Sequence, residues 1–452
     1  MTGQQELENM QTKQRKNKSP SFSQNLKEYS SNYANHSSVH GRWKFNYYHF
    51  YQEGGNLTDE QLRQFEDISM LCNPSMHEEG QLVTDSDVVD FYEEVAPTFE
   101  ETLWVCVWQH YNETCYTLFS PILTQEGICY TFNMPDRDEI FTDEVYHHKD
   151  FLRSDRYSTG WSLENGYIES EEDYDYPRRI NGKSGLTLLI KSLKDYHDYI
   201  CQGPFQGFKI SLHNPGEIPM FDNQFFRAPI NQEVMVAIKP DMITTSSGLE
   251  DYDPHKRGCY FAKERQLRYF KEYTQQNCEL ECQTNITYNL CDCVSFYMPH
   301  SEETPICGSG STPCVNKAKS KMISDTSGSF SCDCLPACTT LTYNVETSQA
   351  KFNWRDMLIA FNADPDEFAG IQMTRLYFNF KGRQFMRSER YELYGMIDFL
   401  AAMGGLLGLF IGISLVSLIE VFYFLTLRLW VNLKRYGRHY WSGSEELLAN
   451  NT

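Results

Sequence analysis

Hydrophobic positions lie in short alternating or helical runs along most of this chain, and near its C-terminal end they fuse. Phe399 to Leu427 is an apolar run of 29 residues with Glu420 as its only charge. About 20 apolar residues cross a bilayer as a helix, so the run predicts a transmembrane helix over 399–427 with length to spare for tilt. Upstream the periods are mixed. Residues 1–20 are polar and promise no core. Residues 45–72 read as a loop and then a helix, with Thr58 as its cap and Asp59 and Glu60 favouring its first turn. Residues 80–125 read as helical stretches rich in aromatics, and 126–135 as a strand. Residues 165–180 read as an acidic loop holding Glu169, Glu171, Glu172, Asp173 and Asp175. Residues 185–250 read as strands and turns, 260–340 as helix with cysteine-linked loops, and 370–392 as an alternating strand. No long repeat is present, and the mixture predicts an α+β fold.

Charge orients the span. Arg428, Lys434, Arg435 and Arg438 follow the apolar run, which places the C-terminal tail in the cytoplasm by the positive-inside rule. The 452 residues carry a formal charge of −21. Residues 1–41 and 428–452 are each net +2, which leaves −25 between them. Basic ends around an acidic middle suggest cytoplasmic ends and an extracellular body. The same acidity excludes a nucleic-acid binder, which needs clustered Lys and Arg. An enzyme reading finds no HExxH, GxSxG or P-loop motif.

Ten of the fifteen cysteines fall between Cys259 and Cys338. That density suits disulfides formed in an oxidising compartment. Pairs such as Cys278/Cys282, Cys291/Cys293 and Cys332/Cys334 also have metal-ligand spacing, but ten thiols without a histidine pattern overfill any one zinc site, so no metal or cofactor is expected. Sequons at Asn56, Asn112 and Asn285 lie in the acidic middle and are candidate glycosylation sites. The first 40 residues hold no apolar signal segment, and no other 18-residue apolar run exists. A chain whose only span lies near its C-terminus would leave its body in the cytosol, whereas the cysteines and sequons want it outside. A lost first span would reconcile the two. A single-span receptor or adhesion protein is the rival reading of another class.

Several motifs together resemble the degenerin/epithelial sodium channel family, most closely its insect pickpocket branch, from about Leu26 to Phe424. His40-Gly41 is similar to that family's cytoplasmic gating motif. Gly127 to Asn133 resembles its G-x-C-Y-T-F-N strand, and Gly203 to Phe208 and Leu212 to Pro215 resemble its palm strands. The ten cysteines match its thumb in number and order. Gly412-Ile413-Ser414, inside the span, resembles its selectivity filter.

The resemblance implies a palm, finger and thumb ectodomain over 44–398, with the thumb at about 255–340. A cytoplasmic segment 1–43 would precede it, and a pore helix 399–427 and a tail 428–452 would follow. It implies the disulfides Cys259–Cys338, Cys278–Cys334, Cys282–Cys332, Cys291–Cys314, Cys293–Cys307 and Cys106–Cys115. Cys72 with Cys201 is a guess for the remaining pair, and the resemblance leaves Cys129 over because its family partner falls in a segment missing between Lys44 and Phe45, where the first helix is expected. Ala401 takes the gate position, with Ala402 where relatives often carry Asp, and Glu420 an inner-pore position. Gly404, Gly408 and Gly412 recur every four residues, as close helix packing requires. His147 and His148 are candidates to titrate near neutral pH. The expected function is a subunit of a trimeric, amiloride-sensitive, sodium-selective channel in the plasma membrane, passing sodium and opening through its ectodomain. Its partners would be the membrane, related subunits in a homo- or heterotrimer, and an extracellular ligand. A form without its first helix would be non-conducting or dominant-negative.

Overall fold

The computed structural model describes residues 58–72 and 80–438, apart from interruptions between 155 and 202, at 325–331 and at residues 223, 363, 383 and 413. The described residues form two compact units. One runs to residue 245 and from 252 to 389; the other holds 246–251 and the chain from 390 onward.

The first unit begins with helix α1 (Asp59–Ser69). The Thr58 hydroxyl accepts the Gln61 N–H at 3.2 Å, and the Gln61 side chain accepts the Thr58 N–H at 3.0 Å. This reciprocal box satisfies two of the amides that a helix start leaves bare. Helix α2 (Asp87–Val95) follows, packing Val88, Val89 and Tyr92 inward.

The strands are β1 (Leu103–Trp108), β2 (Tyr111–Glu113), β3 (Phe119–Thr124), β4 (Gly127–Phe132), β5 (Leu186–Leu193), β6 (Phe208–Ile210), β7 (Phe226–Ala228), β8 (Gln232–Thr245), β9 (Thr340–Lys351), β10 (Ile371–Phe380) and β11 (Arg387–Arg390). Their main sheet has the order β9-β8-β10-β5-β1-β2, with β11 also on β8. Only the β8–β10 pairing is parallel among those whose register is defined; the others are antiparallel. The fold is thus α+β. Leu118, Val234, Val236 and Leu376 sit at or near zero exposure in its largest core cluster. Burying each such side chain stabilises the fold by about 1.5–3 kcal/mol.

Residues 80–125 differ from the helical expectation, because β1 and β3 are strands. In β1 the side chains of Cys106 and Trp108 enter one core cluster while Trp104 enters another. A strand covered on both faces reads as a continuous apolar run, without the alternation that separates strand from helix. The expected strand over 370–392 is two strands, β10 and β11. The strand expected over 126–135 is β4, joined to β3 by the two-residue loop Gln125-Glu126. Gly127 ends that turn at φ +91°, in the left-handed region that a glycine enters without strain.

The cysteine-rich segment is built on helices α3 (Gln275–Cys291) and α4 (Thr312–Ser324). Cys278 and Cys282, one turn apart on α3, join Cys334 and Cys332. Cys291–Cys314 ties α3 to α4, and Cys293–Cys307 and Cys259–Cys338 complete the ladder. Cys106–Cys115 and Cys72–Cys201 bring the total to seven bridges. Cys129 on β4 is the one free thiol of the fifteen cysteines.

Candidate pore segment

The second unit carries the apolar run. A short turn, Ser247–Leu249, is tied in by the Ser246 N–H donating to the Arg390 carbonyl at 2.9 Å. Helix α5 (Met396–Ile411) then starts with the Asp398 carboxylate accepting the Gly395 N–H at 3.2 Å.

The run is not one helix over 399–427. It breaks at Gly412 and resumes at Ser414 as α6 (Leu415–Phe422), which continues through a π-helical stretch (Tyr423–Arg428) into α7 (Leu429–Tyr436). Two local features cause the break. Gly412 lies at φ +70°, and its N–H closes back on the Gly408 carbonyl at 3.1 Å, the usual left-handed end of a helix. Ser414 is extended and caps the next helix: its hydroxyl accepts the Ser417 N–H at 3.2 Å. The Ser414 N–H turns to the Ser417 hydroxyl at 3.4 Å instead of back into α5.

Gly412 and Ser414 of the predicted filter tripeptide are therefore the two sides of the break. The last carbonyls of a helix lack intrahelical partners and carry the negative end of its dipole. At this break they share the chain with two serine hydroxyls, 3.2 Å apart. Ser414, Ser417 and Glu420 recur every third residue, so each neighbours the next on α6. This stripe can offer oxygen ligands to a cation in an otherwise apolar segment. Ser417 was missed by sequence reasoning, although an S-x-x-S cap spacing announces it. Gly412 does not extend the packing row of Gly404 and Gly408, since it lies beyond the helix end.

Almost every apolar side chain of the segment faces outward, including Leu409, Phe410, Leu415 and Phe422. Leu415–Arg435 is long and apolar enough to cross a membrane, and at 1.5 Å per residue it reaches about 31 Å, enough for a hydrocarbon core. Lys434 and Arg428 lie over the rings of Trp430 and Phe424 at 5.2 and 4.8 Å, at the end of the apolar stretch. Ala401 sits exposed on α5.

Other predicted residues are in the first unit. Asn285 is exposed on α3 and Asn112 half-buried on β2. His147 and His148 are not free loop side chains. His147 packs on Phe141, and burial lowers its pKa. The His148 Nε2 lies 3.0 Å from the Asp90 carboxylate, which Lys149 also meets at 2.5 Å. The hydrogen bond from Lys149 holds Asp90 below its ordinary value. His40, Gly41, Asn56, Ile413 and the acidic loop at 169–175 lie outside the described residues. Among the described residues no group of three His, Cys, Asp or Glu is placed to hold a metal.

Comparison with known proteins gives the family. The amiloride-sensitive sodium channel family matches residues 2–424, and the chain belongs to that family. Pickpocket protein 28 of Drosophila melanogaster is 29% identical over 350 residues, covering 74% of this chain and 57% of the relative. Sodium channel protein Nach of Drosophila ananassae is 24% identical over 333 residues, covering 72% and 56%. Acid-sensing ion channel 1C of Danio rerio is 23% identical over 350 residues, covering 75% and 57%. The chain thus spans just over half the length of these relatives.

Proposed function

We propose that the chain is a subunit of a sodium-selective, amiloride-sensitive cation channel of the plasma membrane, assembled as a trimer with copies of itself or with related subunits. The observation that carries this reading is the break at Gly412–Ser414. It sets carbonyl ends and a serine hydroxyl pair in the middle of an unburied apolar segment. Selectivity in a pore comes from its diameter and the groups lining it. The small residues there let three helices approach closely, and the carbonyls and the Ser414 hydroxyl replace part of the hydration shell of sodium. Glu420 is the one charge of the 399–427 run and acts in the inner pore. Ala401 forms the gate. Residues 1–43 and 428–452 are cytoplasmic, with His40-Gly41 taking part in gating. The disulfide-rich unit is extracellular, carries glycans at Asn56, Asn112 and Asn285, and opens the gate when a stimulus reaches it. Conduction is passive and uses no catalytic residue or cofactor. The test is a sodium current blocked by amiloride in cells expressing the chain; a chain that reaches the surface and passes no such current overturns conduction.

A second reading has its own support. Among the described residues one helix is long and apolar enough to cross a membrane, and no second 18-residue apolar run occurs in the sequence. On this reading the chain is a non-conducting subunit that enters a channel and silences it. Co-expression with a conducting relative separates the two: silencing lowers the relative's current, whereas a conducting subunit sustains or raises it.

A further inference from the structure

We propose that the first unit contains a binding cavity for an amphipathic organic anion, a long-chain carboxylate in its simplest form. The cavity has a volume of about 860 Å³ and opens between the main sheet and the β3–β4 hairpin. Trp108, Leu188 and Phe378 of the sheet and Phe119 and Ile128 of the hairpin give it apolar walls. That volume falls in the ~300–1,000 Å³ range of small-molecule sites. The cavity is open to solvent, so water occupies it when no ligand does. Its apolar walls favour a hydrocarbon body over water.

The charge lining it selects the head group. Arg178, Lys191, Lys209 and Arg227 face the cavity with Glu101 and Glu126, four cations against two carboxylates, in a chain with 40 Lys and Arg against 61 Asp and Glu. Lys209 is held by Glu126 at 2.6 Å and Arg178 by Glu113 at 2.9 Å. Arg227 meets no carboxylate among the described residues. It lies over the rings of Phe205 and Phe225 at 5.3 and 5.6 Å, which leaves its N–H donors for an anion. Lys191 is buried at 7% exposure on the wall, where burial lowers its pKa to about 8 against Glu101 and Glu100, which raise it. The body then lies on the aromatic walls and the head near Arg227. This inference does not rest on ion conduction.

Cys129 also lines the cavity and is the single free thiol, so it reports occupancy without any added probe group. The full chain in lipid nanodiscs is treated with N-ethylmaleimide, and labelling of Cys129 is followed by mass spectrometry. Dodecanoate, dodecanol and dodecyltrimethylammonium are compared at matched concentrations. Dodecanoate is expected to slow labelling roughly tenfold at about ten times its dissociation constant, and the alcohol and the cation far less. Arg227→Gln, an exposed position, is expected to remove the preference for dodecanoate over dodecanol. Equal slowing by all three amphiphiles, slowing by none, or a Cys129 that stays unlabelled until the protein is denatured would each overturn the proposal.

Discussion

Ser414 and Ser417 face each other across the first turn of α6, hydroxyl to hydroxyl at 3.2 Å, and each backbone N–H is directed to the other's hydroxyl. Ser417 therefore holds the Ser414 hydroxyl where the pore reading needs it. Ser417→Ala removes half of this cap, at a cost of about 1 kcal/mol to the helix start. The expected outcome is a lower sodium-to-potassium permeability ratio, read from reversal potentials. Ser417→Thr keeps the hydroxyl and should restore the ratio. A ratio unchanged in Ser417→Ala would leave Ser417 as a capping residue alone.

Ala401 sits exposed on α5, eleven residues before Gly412 in the chain. A small side chain at a gate lets helices close, and a branched one wedges them apart. Ala401→Val, in a version carrying a first apolar span after Gly41, is expected to give a constitutive sodium current without stimulus. Current that still awaits the stimulus would move the gate elsewhere.

The Cys282–Cys332 bridge closes a separation of 50 residues inside the wider Cys259–Cys338 loop. Replacing both Cys282 and Cys332 by Ser is expected to cost about 2–4 kcal/mol. The figure falls at the lower end because the outer bridges already limit the unfolded chain. Thermal unfolding of the purified protein checks it; a midpoint shift as large as that from removing Cys259–Cys338 would contradict the nesting argument.

Glu217 gives the first unit a pH dependence of unusual sign. Burial raises its carboxyl to about 7, against hydrogen bonds with Asn214 and Thr274 that lower it. Between its ordinary value and about 7 the folded protein binds more protons than the unfolded chain, so stability falls as pH rises through that window and is level above it. Asp67, raised by burial to about 6, adds a contribution of the same sign. Glu217→Gln should flatten part of this slope. Melting points at pH 5 and pH 7.5 test it, and an identical slope in the variant would show that Glu217 is ionised throughout.

What the sequence made legible depended on how far its signals reach. The apolar run, the acidic body and the order of the thumb cysteines are visible because they are properties of single stretches. The Thr58 cap is visible because it spans three residues. The strands Leu103–Trp108 and Phe119–Thr124 were hidden, since burial on both sides erases their alternation. The break at Gly412–Ser414 was hidden in another way. Its glycine and serine are local signals, but a hydropathy window averages over them and reports one span. The His148–Asp90 contact and the cavity beside Cys129 join residues distant in sequence, and no local pattern announces either.

The central claim is that the break at Gly412–Ser414 lines a sodium pore. The most direct measurement is the whole-cell current of Ser414→Cys in the version with a first span, before and after a membrane-impermeant, positively charged thiol reagent. The account predicts an altered sodium-to-potassium preference and block by the reagent that the unsubstituted protein does not show. A Ser414→Cys current with unchanged selectivity and no block would contradict it.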